Sequence, residues 1–157
     1  MKTRFAALLF GICISSGFTA GSAETLYPVQ GPLAAQAPPP VITAHFAGAN
    51  SGKFTMSVAH GESFQGKWAF VMPPFVNAKT PQEPAAYLPQ PNLAFAWDAV
   101  YGQGYFVAQI LGSRIRQVVA KGDQGTVIQV ECLYADPHTG YNGVAVDSKG
   151  NLYKVVW

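Results

Sequence analysis

From residue 41 onward, apolar and polar residues alternate in short runs separated by glycine-bearing turns, a pattern typical of β-strands. In the run Lys53–Ala59, for example, Phe54, Met56 and Val58 share one side while polar residues occupy the other. The runs predicted as strands are Val41–Ala47, Lys53–Ala59, Phe64–Met72, Asn92–Val100, Gly104–Leu111, Arg114–Lys121, Thr126–Tyr134, Gly143–Asp147 and Leu152–Trp157. About eight strands in a chain of this length predict an all-β fold, a small antiparallel sandwich or barrel. No stretch beyond residue 23 carries a helical apolar stripe over three turns.

Two of these runs predict a hairpin. Lys53–Ala59 and Phe64–Met72 are joined by the short turn His60–Ser63, and closely spaced alternating runs pair as antiparallel strands. Gly66 interrupts the apolar face of the second run beside Trp68. A glycine inside a strand indicates that backbone or an aromatic ring approaches closely there.

The segment Pro73–Pro91 is rich in proline and is predicted to be a long loop, with a short helix at Ala85–Leu88 as the alternative. Proline removes a backbone donor and is excluded from central strands. Long loops in compact domains often carry function, so this segment is a candidate interaction surface. Its docking candidates are Pro73, Pro74, Phe75 and Tyr87.

The N-terminus has the layout of a secretory signal peptide. Lys2 and Arg4 precede the apolar run Phe5–Ile14, and Gly21–Ala23 forms a small-x-small cleavage site. The run is shorter than the roughly 20 apolar residues that span a bilayer. We therefore expect a mature chain that begins at Glu24, in the periplasm or secreted, with no membrane span.

The predicted domain organisation has three parts: residues 1–23 are the signal peptide, 24–40 a proline-rich extended lead-in, and 41–157 a single β domain. Lipidation at Cys13 is a minor alternative, because the residue before it, Ile12, departs from lipobox sites. When the predicted signal peptide is removed after Ala23, Cys132 is the single cysteine of the mature chain. It is predicted to be a buried small hydrophobe without a disulfide.

Charge excludes a nucleic-acid footprint. The chain has 10 basic and 8 acidic side chains, and the predicted signal peptide accounts for the excess through Lys2 and Arg4. The mature chain is thus neutral, whereas nucleic-acid binders carry a clustered positive surface.

Two segments carry resemblances. The segment Gly61–Trp68, together with the closing Gly150–Tyr153, is similar to small exported Gram-negative proteins of uncharacterised function. This resemblance implies an envelope protein and supplies no catalytic residue. The segment Gly143–Tyr153 resembles one NHL-type propeller repeat, but nothing else in the chain repeats it, so a plain hairpin is predicted. The alternating aromatic ending at Trp157 leaves a small outer-membrane barrel as a further alternative.

Catalytic and metal-binding patterns are missing from the sequence. His45, His60 and His138 lack metal-ligand spacing, and neither nucleophile-elbow nor nucleotide-binding fingerprints occur. Two alternatives stay open for the turn residues Asp136 and His138: they cooperate as a base and its orienting partner, or they hold a metal with Glu131. A hydrolase that uses these three residues is the least supported hypothesis. No cofactor and no metal are expected.

The sequence therefore predicts a non-enzymatic binding or structural protein of the envelope, with a protein partner as the first hypothesis. The alternative is a binder of a small apolar or carbohydrate ligand. Stacking candidates for that ligand are Trp68, Trp97, Tyr101 and Tyr105. Core packing is the favoured explanation for these four aromatic residues.

Overall fold

The computed structural model describes residues 21–58, 61–71, 91–133 and 142–156. These form a closed barrel of eight antiparallel strands in which each strand pairs with its neighbours in chain order. The strands are β1 Gly21–Gln30, β2 Ile42–Ala47, β3 Ser51–Ser57, β4 Ser63–Val71, β5 Ile115–Gly122, β6 Val127–Leu133, β7 Asn142–Asp147 and β8 Leu152–Val156. The predicted all-β class is confirmed, with the barrel realised rather than the sandwich.

Alternation decides which side chains fill the barrel. Apolar residues at every second position point inward, so that Phe54 and Met56 of β3 meet Phe64 and Trp68 of β4. The positions between them, such as Lys53 and Thr55, are exposed. Buried side chains from all eight strands make one core cluster, so the barrel encloses packed side chains, not a channel.

The lead-in prediction differs from the structure. Residues Gly21–Gln30 form β1, which pairs with β2 on one side and closes the barrel against β8 on the other. Glu24 and Leu26 point inward at alternating positions. Pro28 is accommodated because the β1–β8 register shifts between Pro28 and Gln30. The domain therefore begins well before residue 41, and the extended segment is limited to the turn region between β1 and β2.

Two predicted strands are helical, and these predictions were wrong. Asn92–Val100 lies within helix α1, Pro91–Tyr101, and Gly104–Leu111 contains a π-helical turn at Phe106–Ile110. The helix ends at Tyr101 and is followed by Gly102, whose φ of 110° suits a residue just past a helix C-terminus. Every third or fourth residue of α1 is apolar, but the positions between are also largely apolar, which hid the helical period.

The helix packs on the outside of the barrel, mainly against β7. Its inward stripe contacts outward-facing residues of the sheet, and a second core cluster results. The buried members of this cluster are Leu93, Ala96, Trp97, Ile110, Ile115, Val144 and Leu152.

Both predicted hairpins are confirmed. β3 and β4 pair from Ser51–Ala69 to Ser57–Ser63, and β7 and β8 pair as a plain hairpin. Within the described ranges, no helix is both long and apolar enough to cross a membrane.

Candidate functional site

Three of the four predicted stacking residues come together where α1 packs against the barrel. Trp97 stacks on Tyr101 and Tyr105 with ring centroids 5.5 and 5.9 Å away, and the two tyrosine rings are 4.8 Å apart. We call these residues the aromatic stack. Trp97 is fully buried and the two tyrosines are half-buried, so the stack holds the helix on the sheet.

Polar contacts anchor the aromatic stack to the barrel. The Tyr101 hydroxyl donates to the carbonyl oxygen of Gly143 at 3.1 Å and accepts from its amide at 3.2 Å. Burial raises the pKa of Tyr101 to about 12. The Tyr105 hydroxyl accepts from Asn142 Nδ2 at 3.3 Å. Both tyrosines are thereby fixed to the start of β7.

Glu131 lies beneath the aromatic stack, on the outer side of β6. Its carboxylate accepts from Trp97 Nε1 at 2.9 Å and from Gln117 Nε2 at 3.1 Å. Burial raises the pKa of Glu131, although these two hydrogen bonds oppose the shift. Both donors are uncharged, so the carboxyl serves to position the indole of Trp97.

Trp68, the fourth stacking candidate, lies inside the barrel and apart from the other three. It is buried, and its Nε1 donates to the carbonyl oxygen of Ala47 at 3.0 Å. Its ring stands 4.7 Å from the guanidinium of Arg116, which also lies 4.6 Å from the Phe46 ring. The role of Trp68 is thus to pack the core and to enclose a buried cation.

Arg116 forms a buried ion pair with Glu24 inside the barrel. Ser22 Oγ lies 3.3 Å from the guanidinium, and the Cys132 thiol donates to Glu24 Oε2 at 3.3 Å. Burial raises the pKa of Glu24 to about 7, although Arg116, Cys132 and Ser22 all act against the shift. Burial, followed by the charge of Glu24, raises the pKa of Cys132, so the thiol is held protonated.

Cys132 is buried within β6, as the sequence predicted. Its neighbour Glu131 faces the opposite side of the strand, toward α1. The pair therefore cannot act together as a nucleophile and its base.

The other end of the barrel carries a second polar network. Glu62 is buried and accepts from the amide and hydroxyl of Thr126 at 3.1 and 2.7 Å and from Lys149 Nζ at 2.7 Å. Burial opposes ionisation, but these hydrogen bonds outweigh it and keep the pKa of Glu62 below its usual value. Lys149 is itself largely exposed.

Asp147 completes this network at the β7–β8 turn. Its carboxylate accepts from the Tyr153 hydroxyl at 2.6 Å, from Asn151 Nδ2 at 2.8 Å and from the Lys149 amide at 2.9 Å. A cavity of about 400 Å³ opens beside it, lined by apolar residues such as Leu33 and Val58 as well as by this network. The carboxylates are already occupied by protein donors, so the network chiefly fixes the turns.

A larger groove, of about 600 Å³, runs along the outer face of β3, β4 and β5. Its outward-facing lining combines two lysines with small apolar and polar side chains. These residues are Ser51, Lys53, Lys67, Ala69, Val71, Gln117 and Val119.

No family model, no curated protein and no solved structure matches this chain. The likeness to small exported Gram-negative proteins accordingly stays a prediction.

Several predicted residues lie outside the described ranges. These are the loop candidates Pro73, Pro74, Phe75 and Tyr87, the turn residues Asp136 and His138, and His60. His45 is an outward residue of β2. Among the described residues, no group of three or more histidine, cysteine or acidic side chains is placed to hold a metal ion.

The sequence interpretation missed the residues that carry the buried polar networks. Glu24 and Arg116 are 92 positions apart and meet only because the barrel closes. Arg116 carries a usable signal, because it shares one face of its alternating run with Val118 and Ala120. Glu24 carries none, because it lies in the segment predicted to be an extended lead-in. The groove could not be read from the sequence, because its members come from three strands.

Proposed function

We propose that this chain is an exported, non-enzymatic binding module of the bacterial cell envelope. The barrel is its rigid scaffold, and its contacts with a partner are made through its outer surface. The observation that carries this proposal is the filled interior, where Glu24 pairs with Arg116 and Asp147 is held by Tyr153 and Asn151. Buried charged groups whose hydrogen bonds are satisfied by other protein groups stabilise the fold.

The polar residues on the outer surface of the barrel support a binding module whose surface is exposed to water. Apolar residues fill the interior, whereas outward positions of β2, β3 and β4 carry His45, Lys53, Thr55, Gln65 and Lys67. A transmembrane barrel has the opposite arrangement, with an apolar band facing outward.

Strand β1 is compatible with signal removal after Ala23. The pairs from Glu24–Ala44 to Leu26–Ile42 would remain, together with the β1–β8 pairs that close the barrel. The chain that starts at Glu24 would also retain the carboxyl that pairs with Arg116. Processing at the predicted site would remove the β1–β2 pairs made by residues 21–23 and the Ser22 contact to Arg116, and would keep the other β1 pairs and the Glu24–Arg116 ion pair.

The test is expression of the full chain in a Gram-negative host, followed by fractionation and intact-mass measurement. We expect a periplasmic or secreted product whose mass starts at Glu24. A matched chain without residues 2–23 should stay in the cytoplasm. Full-length protein in the cytoplasm, or a lipid on Cys13, would falsify export as proposed.

A further inference from the structure

The barrel separates its charges between interior and surface. Four of the described carboxylates are buried, namely Glu24, Glu62, Glu131 and Asp147, whereas exposed basic side chains include Lys53, Lys67, Arg114, Lys121 and Lys149. Among the described residues, the exposed side chains therefore carry more positive than negative charge, because Asp98 and Asp123 are the described acidic residues that are not buried. The field that a partner meets depends on exposed charges and not on net composition.

Three of these lysines lie on one outer face. Lys53 and Lys67 are direct cross-strand partners on β3 and β4. Lys121 on β5 is diagonal to Lys67, because Lys67 pairs with Val119 two positions earlier. We call this set the lysine face. The ion pairs seen among the described residues are Arg116–Glu24 and Lys149–Glu62, and neither involves it.

Like charges directly opposite each other on neighbouring strands repel and destabilise a sheet. The Cβ atoms of such a pair lie about 5 Å apart, so the flexible side chains of Lys53 and Lys67 are close enough to contact the same anionic group. An anion bound there would relieve the repulsion. The lysine face therefore favours a partner that carries negative charge.

The groove described above runs from this lysine pair along Ala69, Val71 and Val119. Most of the exposed area of its lining is apolar, although Ser51 and Gln117 also line it, and Val119 is 59% exposed. A free inorganic anion would leave this apolar part unused. The occupant that suits both parts carries an anionic head and an apolar portion.

An extended acidic peptide fits less well. Peptides commonly bind sheets by adding a strand to an exposed edge, but β3, β4 and β5 each pair on both sides within the closed barrel. Contacts on this face are limited to side chains, which are sufficient for an amphiphile.

We propose that the lysine face and its groove bind an anionic phospholipid, with the phosphate between Lys53 and Lys67 and the apolar portion along Ala69 and Val119. This proposal rests on the proposed role as a binding module and names the chemistry of its partner. It would place the barrel against an anionic membrane surface.

The test is co-sedimentation of the purified chain 24–157 with vesicles of phosphatidylcholine, with and without phosphatidylglycerol. We expect binding only to the anionic vesicles, with an affinity that falls as salt rises. Each lysine near an anionic surface contributes about fivefold in affinity. The double variant Lys53→Gln/Lys67→Gln should therefore bind at least tenfold more weakly.

Lys154→Gln is the matched control, because it removes a lysine charge from β8, which lies across the closed barrel from β4, and it should leave vesicle binding unchanged. Val119→Ser should weaken vesicle binding while all three lysines remain. Thermal melting confirms that each variant is folded, and the double variant should melt no lower than the parent chain because its repulsion is gone.

Equal binding to neutral and anionic vesicles, or full binding by the double variant, would overturn the proposal. Competition by inorganic phosphate with no effect of Val119→Ser would reassign the face to a free anion. Binding to an acidic peptide but not to vesicles would reassign it to a protein. The assay uses purified protein, so a failure here leaves the export proposal standing, and a failure of export leaves this assay valid.

Discussion

At the scale of single residues, buried carboxylates decide how the protein responds to pH. Burial raises the pKa of both Glu24 and Glu131 above that of an unfolded glutamate. At a pH between the unfolded-state and folded-state pKa of each glutamate, the folded protein therefore binds more protons than the unfolded chain. Under these conditions the free energy of unfolding decreases as pH rises.

We expect the free energy of unfolding to fall as pH increases from about 4.5 to about 7, the window given by the shift of Glu24. Denaturant titrations at several pH values measure this slope. Glu24→Gln should flatten it and leave the contribution of Glu131. A slope of the opposite sign would show that Arg116 keeps Glu24 fully ionised throughout this range.

The Cys132 thiol should be unreactive in the folded protein. It is buried, and its pKa is raised by burial and by the charge of Glu24, so the thiolate that attacks labelling reagents is suppressed. Thiol labelling at neutral pH should be slow for native protein and fast after unfolding. Rapid native labelling would refute this structural role.

At the scale of elements, β4 depends on a glycine at an inward position. A Cβ atom at Gly66 would stand 2.6 Å from the Val119 carbonyl oxygen and 2.7 Å from the Ala120 Cβ, both on β5. Strands β4 and β5 pair continuously from Phe64–Gly122 to Val71–Ile115, so the backbone has little freedom to withdraw. The sequence prediction of close backbone approach at Gly66 is confirmed.

Gly66→Ala should therefore lower the free energy of unfolding by about 1–3 kcal/mol, the usual effect of overpacking. Chemical denaturation measures the change. The neighbouring variant Gln65→Ala, on the exposed side of β4, should stay within about 0.5 kcal/mol of the parent. If both variants behave alike, the contact across β4 and β5 is looser than the geometry indicates.

At the scale of the whole molecule, closure of the barrel makes β1 indispensable. β1 joins β2 to β8, and without it both of those strands would become open edges. Open edges expose unpaired backbone groups and promote aggregation. Residues 24–40 are therefore part of the folding unit and not a tether.

A chain of residues 24–157 should fold with a cooperative thermal transition, whereas a chain of residues 41–157 should fail to fold or should aggregate. Circular dichroism and size-exclusion chromatography distinguish the two outcomes. Cooperative folding of the shorter chain would restore the domain boundary that the sequence pattern suggested.

Local alternation was enough to predict seven of the strands, because a period of two directly reports which side chains enter a core. The same reasoning placed Cys132 in the interior and Glu131 outside. It failed at Asn92–Val100, where apolar residues on most positions fit a helix and a strand alike. There the contact of α1 with β7 selects the helix.

Tertiary structure alone decided the rest. Glu24 and Arg116 meet because β1 and β5 face each other across a closed barrel, and Trp97 reaches Glu131 because α1 folds back onto the wall. Lys53, Lys67 and Lys121 form one face only after three strands take their register. The sequence by itself determined the signal-like N-terminus, the all-β class and the inward residues, since these depend on local composition and period. Which distant residues become neighbours depends on the pairing of strands far apart in the chain and on closure of the barrel, which the locally predicted hairpins do not specify.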